Sequence, residues 1–214
     1  MGTTPNPLKL LTLNVNGIAQ FDSRNGVTAL LSHDADIIVL SEVKDSPKTA
    51  ARREHIWDKF HAAGYTYQHF NVAPQSTSLP LPPSLRLCTQ LGYAGLAILS
   101  RVPPLLHADG SPRIELGLGD TLVDIEPRAI VVHYQGFVLV AVYAPSSGKF
   151  LLKLNRKLLW NRSLGTLVSR LNSTGTPFVV IGDLNSTLHD SDDFFADDDT
   201  SRWLQTICFP KVCL

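Results

Sequence analysis

The stretch Phe178-Val-Val-Ile-Gly-Asp-Leu-Asn-Ser186 constrains this chain more than any other, because an apolar run ends abruptly in Asp183 and Asn185, two polar side chains two positions apart. Along an extended backbone residues i and i+2 point to the same side, so a carboxylate and a carboxamide converge at the C-terminal end of one strand. Taken alone, the pattern is equally that of a strand closing in an ordinary Asx turn. Two further runs repeat it. Leu10-Leu-Thr-Leu-Asn-Val-Asn-Gly17 ends in Asn14 and Asn16 before a glycine turn, and Asp36-Ile-Ile-Val-Leu-Ser-Glu-Val-Lys44 delivers Glu42 and then Lys44. Acids and amides at three strand ends are the hard oxygen ligands and water-orienting groups that a magnesium-dependent phosphoester hydrolase needs.

Strand-like and helix-like patterns interleave along the chain. Strands are expected over Leu8 to Asn14, Asp36 to Ser41, Tyr65 to Asn71, Leu96 to Ser100, Thr121 to Asp124, Ala129 to Tyr134, Phe137 to Tyr143 and Phe178 to Gly182. Most are too apolar for a sheet with one wet face. Helices are expected over Val27 to His33, Lys48 to Ala63 and Phe150 to Leu171. In the last, Leu151, Leu154, Leu158, Leu164, Leu167 and Leu171 form an inward face, with Lys149, Lys153, Arg156, Lys157 and Arg162 on or beside the other side. The Pro-rich segment from Ala73 to Leu87 reads as a surface loop, since strand-like sequence resumes directly after it. The pattern predicts an α/β layered domain occupying residues 1–214.

Composition sets outer limits. The 214 residues are 44% hydrophobic, enough for one sizeable core, and no apolar run reaches the length of a membrane span. The first residues lack the basic and apolar regions of a secretory signal, so the expectation is an intracellular protein, nuclear in a eukaryote and otherwise cytoplasmic. Three cysteines, Cys88, Cys208 and Cys213, without metal-ligand spacing read as free thiols. Lys and Arg equal Asp and Glu at 19 each, so any basic surface must be local.

The blocks Leu13-Asn-Val-Asn-Gly17, Ser41-Glu-Val-Lys44 and Gly182-Asp-Leu-Asn185 resemble the endonuclease/exonuclease/phosphatase superfamily. Gly92-Tyr-Ala-Gly-Leu-Ala-Ile-Leu-Ser-Arg101, Glu126-Pro-Arg-Ala-Ile-Val131 and Phe137-Val-Leu-Val-Ala-Val-Tyr-Ala-Pro-Ser-Ser-Gly148 resemble, in order and spacing, the exonuclease III type of apurinic/apyrimidinic (AP) endonuclease. The resemblance runs from about Leu8 to about His189 and implies a four-layer sandwich of two packed β-sheets flanked by helices. It further implies a monomeric DNA repair nuclease that cuts beside an abasic site in duplex DNA.

Roles follow from the resemblance residue by residue. Glu42 would be the main ligand of Mg²⁺, with Mn²⁺ as the alternative, and Asn16 stands where many relatives carry a second acid. Asn14 and Asn185 would hydrogen-bond the phosphate or the attacking water, Asp183 would orient or deprotonate that water, and Tyr143 would donate to the phosphate. By residue type alone, Tyr143 is a packing residue with a satisfied hydroxyl; its place in Val-Tyr-Ala-Pro-Ser-Ser-Gly gives it the second role. Lys44 is either a solvated cation or the group that holds Glu42 in place. Arg128, Lys149 and Lys153 would line the DNA-facing edge and contact phosphates without reading bases. Ser146 departs from the asparagine usual at that spot.

The largest departure comes after the Gly-Asp-Leu-Asn block. Relatives continue to a Trp-containing strand ending in aspartate and a Ser-Asp-His block, whereas here His189 is followed by an acidic run, Asp190 to Asp199, and a tail ending at Leu214. The expectation is a domain without its C-terminal strands, impaired in catalysis. A shortened form, a reading frame altered near its end, and a fragment completed by another chain all account for it. Other functions of the same fold are a retrotransposon-type endonuclease, a phosphatase of lipid headgroups or nucleotides, and a non-catalytic product.

Overall fold

The computed structural model describes residues 7–44, 50–72 and 94–186. The Pro-rich segment over 73–87, His189, the acidic run, the tail and all three cysteines lie outside the described residues.

Among the described residues, eight strands form two sheets. The first has the order β1 (Leu10–Asn14), β2 (Ile37–Ser41), β4 (Leu96–Ser100), β3 (Tyr67–Asn71), with β1 parallel to β2 and the other pairs antiparallel. The second has the order β5 (Ile114–Leu116), β6 (Ala129–Tyr134), β7 (Phe137–Tyr143), β8 (Phe178–Asp183), with only β7 and β8 parallel. Helices α1 (Ile18–Ser23), α2 (Gly26–Leu31) and α3 (Ala50–Ala62) cover the first sheet, and α4 (Leu154–Ser173) covers the second.

The period of two divides the central strands between interfaces. Ile37 and Val39 of β2 and Leu96 and Ile98 of β4 point toward the other sheet, where they meet Ile130, Val132, Leu139 and Ala141. Their neighbours Ile38, Leu40, Ala97 and Leu99 face Val27, Leu30, Ile56 and Phe60 of the helices. On the far side, Val131, Val138, Val140 and Val142 pack on Trp160, Leu164, Leu167 and Leu171 of α4. Strands buried on both faces explain the unbroken apolar runs of the sequence. Each fully buried Ile, Leu or Val contributes about 1.5–3 kcal/mol relative to exposure. The result is the α/β layered domain that the sequence pattern predicts, in the order helices, sheet, sheet and helix that the family resemblance implies.

The structure differs from the sequence reading at three places. Thr121 to Asp124 is a turn, because carboxylates close the backbone there: Asp120 accepts from the Leu122 N–H at 3.0 Å, and Asp124 accepts from Leu118 at 2.7 Å and Asp120 at 2.8 Å. The short elements α1 and β5 carry too few residues to show a period. Finally, α4 starts at Leu154, after a single 3₁₀ turn at Lys149–Leu151. Its buried stripe runs through Lys157, Trp160, Leu164, Leu167 and Leu171, so Lys157, expected on the outer side, is buried.

Candidate active site

Two parallel pairs bring four strand ends to one rim. In the first sheet Asn14 is in register with Ser41, and in the second Tyr143 is in register with Asp183. The inter-sheet parity of Leu10 leads to Asn14, that of Leu139 to Tyr143, and that of Val179 to Asp183, so all three side chains emerge where the two sheets meet. Glu42 has the wrong parity for that face. Its φ of 54° breaks the alternation and brings its carboxylate in with the others. Asn16 (φ 46°), Lys44 (φ 49°) and Asn185 (φ 48°) share this left-handed backbone, which is uncommon outside glycine. Hydrogen bonds from Gly17 N–H to Glu42 O (2.7 Å), Lys44 N–H to Ala94 O (3.0 Å) and Ala144 N–H to Asp183 O (2.8 Å) hold these loops in place.

One residue determines how closely β8 approaches. A Cβ on Gly182 would lie 1.9 Å from the carbonyl oxygen of Val142, and its φ is 140°. Only glycine lets the backbone pass this point and deliver Asp183 next to Tyr143.

The side chains form one network. The Asn14 amide donates to Glu42 Oε1 at 3.0 Å and to Asp183 Oδ2 at 2.8 Å, while its own Oδ1 accepts from the Asn16 N–H at 3.1 Å. The Tyr143 hydroxyl donates to Glu42 Oε1 at 2.8 Å. Asp183 Oδ1 accepts from the Asn185 N–H at 2.9 Å, and the Asn185 side chain donates to Ala144 O at 2.8 Å. Burial alone would raise the Glu42 carboxyl, but the bonds donated by Asn14, Lys44 and Tyr143, with the Lys44 charge, outweigh it and hold the group below the usual carboxylate range. Glu42 is therefore ionised at neutral pH.

Lys44 pairs with Glu42 Oε2 at 2.8 Å and also donates to Asn16 Oδ1. Its ammonium is the positive charge on which a carboxylate oxygen and an amide oxygen converge. Among the described residues there is no group of three or more His, Cys, Asp or Glu positioned to hold a metal. The donor set Glu42 Oε2 and Asn16 Oδ1 nonetheless suits Mg²⁺, which keeps much of its water shell and takes few protein oxygens.

The expected DNA-contacting cations separate. Lys149 and Lys153 are exposed on the turn that follows Tyr143. Arg128 is not at the surface: it is 2% exposed, pairs with Glu126 at 2.5 Å, donates to Tyr143 O at 3.0 Å and lies 4.6 Å from the centre of the Tyr143 ring. The residue expected to touch phosphate instead clamps the tyrosine, and Arg156 joins it on Glu126. A cleft of about 360 Å³ lined by Glu126, Arg128, Pro145, Arg156 and Trp160 opens beside this cluster.

Lys157 is a site-supporting residue that the sequence pattern placed wrongly. Its ammonium donates to Leu184 O at 3.2 Å and to Asn185 O, pinning the loop that carries Asp183 and Asn185. The signal was a lysine in register with Trp160, Leu164, Leu167 and Leu171, where an outward cation does not belong.

The sequence profile of the endonuclease/exonuclease/phosphatase family matches residues 11–210. The chain belongs to the endonuclease/exonuclease/phosphatase family. Within that family it is 27% identical over 178 residues to recombination repair protein 1 of Drosophila melanogaster, a match covering 83% of this chain and 22% of that protein. It is 24% identical to DNA repair nuclease APEX1 of Danio rerio, over 83% of this chain and 49% of that one. The exodeoxyribonuclease of Bacillus subtilis (strain 168) is 25% identical, over 83% of this chain and 58% of the relative. In each case the chain spans less than two thirds of the relative's length. In fold it is similar to an AP endonuclease from Archaeoglobus fulgidus, with a TM-score of 0.67, 21% identity, and coverage of 94% of this chain and 69% of the other. These likenesses assign the endonuclease/exonuclease/phosphatase fold to two mixed sheets with flanking helices. No helix among the described residues is long and apolar enough to cross a membrane.

Proposed function

We propose that this chain is a Mg²⁺-dependent DNA phosphodiesterase of the AP endonuclease type, acting in base excision repair on the backbone beside an abasic site in duplex DNA. One observation carries the reading: the Asn14 amide bridges Glu42 and Asp183, so acid and amide ends from both sheets share one site. The names of the relatives, a DNA repair nuclease and exodeoxyribonucleases among them, support DNA as the substrate.

Glu42 and Asn16 would hold the divalent cation, Mg²⁺ or Mn²⁺, which when bound offsets negative charge on the phosphate or the leaving 3′-oxygen. Asp183 orients the attacking water and takes its proton, its carboxylate fixed from two sides by Asn14 and the Asn185 N–H. Tyr143, clamped by Arg128, turns its hydroxyl from Glu42 to a phosphate oxygen as substrate enters. Lys149 and Lys153 neutralise flanking phosphates. Lys44 holds Glu42 Oε2 and Asn16 Oδ1, the two oxygens that would hold the cation.

The test is nicking of abasic duplex, undamaged duplex and inositol phosphates in Mg²⁺, with Glu42→Gln as the control. Mg²⁺-dependent incision of abasic duplex, absent in the control, is expected. Selective release of phosphate from inositol phosphates would overturn the reading.

A further inference from the structure

The turn that follows Tyr143 exposes two large apolar side chains. Phe150 is 80% exposed and Leu152 is 84% exposed. Phe150 (φ 53°) and Leu151 (φ 58°) both take left-handed backbone, which costs a non-glycine residue free energy and persists only where surrounding bonds impose it. Those bonds are present: Gly148 N–H to Ser146 Oγ at 3.0 Å, Leu151 N–H to Gly148 O at 3.1 Å, and Lys153 N–H to Ser147 O at 2.8 Å. The turn is thus closed on itself and holds an aromatic ring outward. Neither the sheet cores nor the site network uses that ring.

Its surroundings are cationic. The Lys149 ammonium lies 5.1 Å from the centre of the Phe150 ring, and Lys153 is exposed on the same turn. Phe150 follows Tyr143 by seven positions. At about 3.3–3.6 Å per extended residue, it sits at most about 25 Å from the site. Along one DNA strand that distance is about seven nucleotides, at about 3.4 Å each.

We propose that Phe150 is a stacking platform for a base that the abasic position leaves unpaired in the DNA bound at the site, with Lys149 and Lys153 gripping nearby phosphates. The proposal rests on the reading of the site as one that takes DNA. Aromatic faces flanked by cations are how proteins hold single-stranded nucleic acid, because every base has a π-face and every linkage a negative charge. The same turn is a poor membrane anchor. Interfacial binding scales with apolar area, and one phenylalanine with one leucine supplies little of it.

The experiment uses the full chain in metal-free buffer with a single-stranded oligonucleotide containing 2-aminopurine, read by anisotropy and by quenching. Phe150→Ser, Phe150→Trp and Lys149→Gln are compared, with phosphatidylcholine–phosphatidylserine vesicles as a second ligand. Stacking is worth about 1–3 kcal/mol per base, so Phe150→Ser should weaken binding about tenfold or more and abolish quenching without altering the salt dependence. Phe150→Trp should bind at least as tightly as the parent. Lys149→Gln should reduce the slope of log affinity against log salt by about 0.7. Phe150→Gly, which suits the left-handed backbone, should melt as the parent does, separating loss of stacking from loss of folding. DNA binding with salt dependence but unchanged by Phe150→Ser would overturn the stacking role and leave the DNA reading standing. Failure of the folded parent to bind any DNA would overturn both, and Phe150-dependent binding to vesicles alone would make the turn a membrane contact.

Discussion

The hydroxyl of Tyr143 donates to Glu42 Oε1 at 2.8 Å, tying the end of a strand in one sheet to the loop after a strand in the other. Glu42 thereby has a hydrogen-bond donor from the opposite sheet, and its carboxyl lies below the usual range despite burial. A depressed carboxylate contributes above its unfolded pKa, and the contribution is lost as pH falls through the folded value. Tyr143→Phe keeps the ring under Arg128 and removes only the donor. The Glu42 carboxyl should then rise toward its ordinary value, and the acid limb of divalent-cation binding should move to higher pH. Calorimetric titration of Mg²⁺ across the acid range reads the shift; an unmoved limb would show that Tyr143 does not hold this charge.

Lys44 is the cation that Glu42 and Asn16 already share. If those oxygens form the divalent site, the ammonium competes with the metal. Lys44→Met should tighten Mg²⁺ binding several-fold at pH 8, where Glu42 remains ionised without help, and should weaken the advantage as pH falls. Looser binding at every pH would mean that Lys44 shapes the ligands more than it competes with the ion.

Gly182 occupies a point where a Cβ would meet the Val142 carbonyl oxygen at 1.9 Å. Overpacking of this kind costs about 1–3 kcal/mol, and here a positive φ adds strain. Gly182→Ala should destabilise the chain by about 2–4 kcal/mol in urea unfolding and displace Asp183 from Asn14. A variant with unchanged stability would show that β8 can shift without cost.

His69 on β3 carries a buried Nε2 without a hydrogen-bond partner among the described residues, and burial pushes its imidazole below the ordinary value. The fold therefore keeps this ring neutral. Its contribution is complete above the unfolded pKa of about 6.5 and is lost as pH falls from there through the folded value. Stability measured in urea should decline over that interval, and His69→Phe should flatten the decline. Parallel curves for parent and variant would assign the acid sensitivity elsewhere.

The sequence by itself determined the doubly buried strands and the residues at their ends. Successive side chains of a strand alternate between its faces, so an unbroken apolar run must be buried on both, and polar residues just beyond it must emerge at a rim. Asn14, Glu42, Tyr143 and Asp183 could be picked out on that ground together with the family blocks. Tertiary structure alone decided which of them touch. Strand parity would have turned Glu42 away; a left-handed φ, set by the loop bonds around Ala94 and Gly17, turned it in. Arg128 and Lys157 carry the residue types of surface cations, and only the packing of β7 and α4 shows them buried, one clamping Tyr143 and the other fixing the carbonyls after Asp183. The physical reason is that a local pattern fixes the direction of a side chain relative to its own strand or helix, whereas what it packs on, the Tyr143 carbonyl and ring for Arg128 and the Leu184 and Asn185 carbonyls for Lys157, comes from a distant part of the chain.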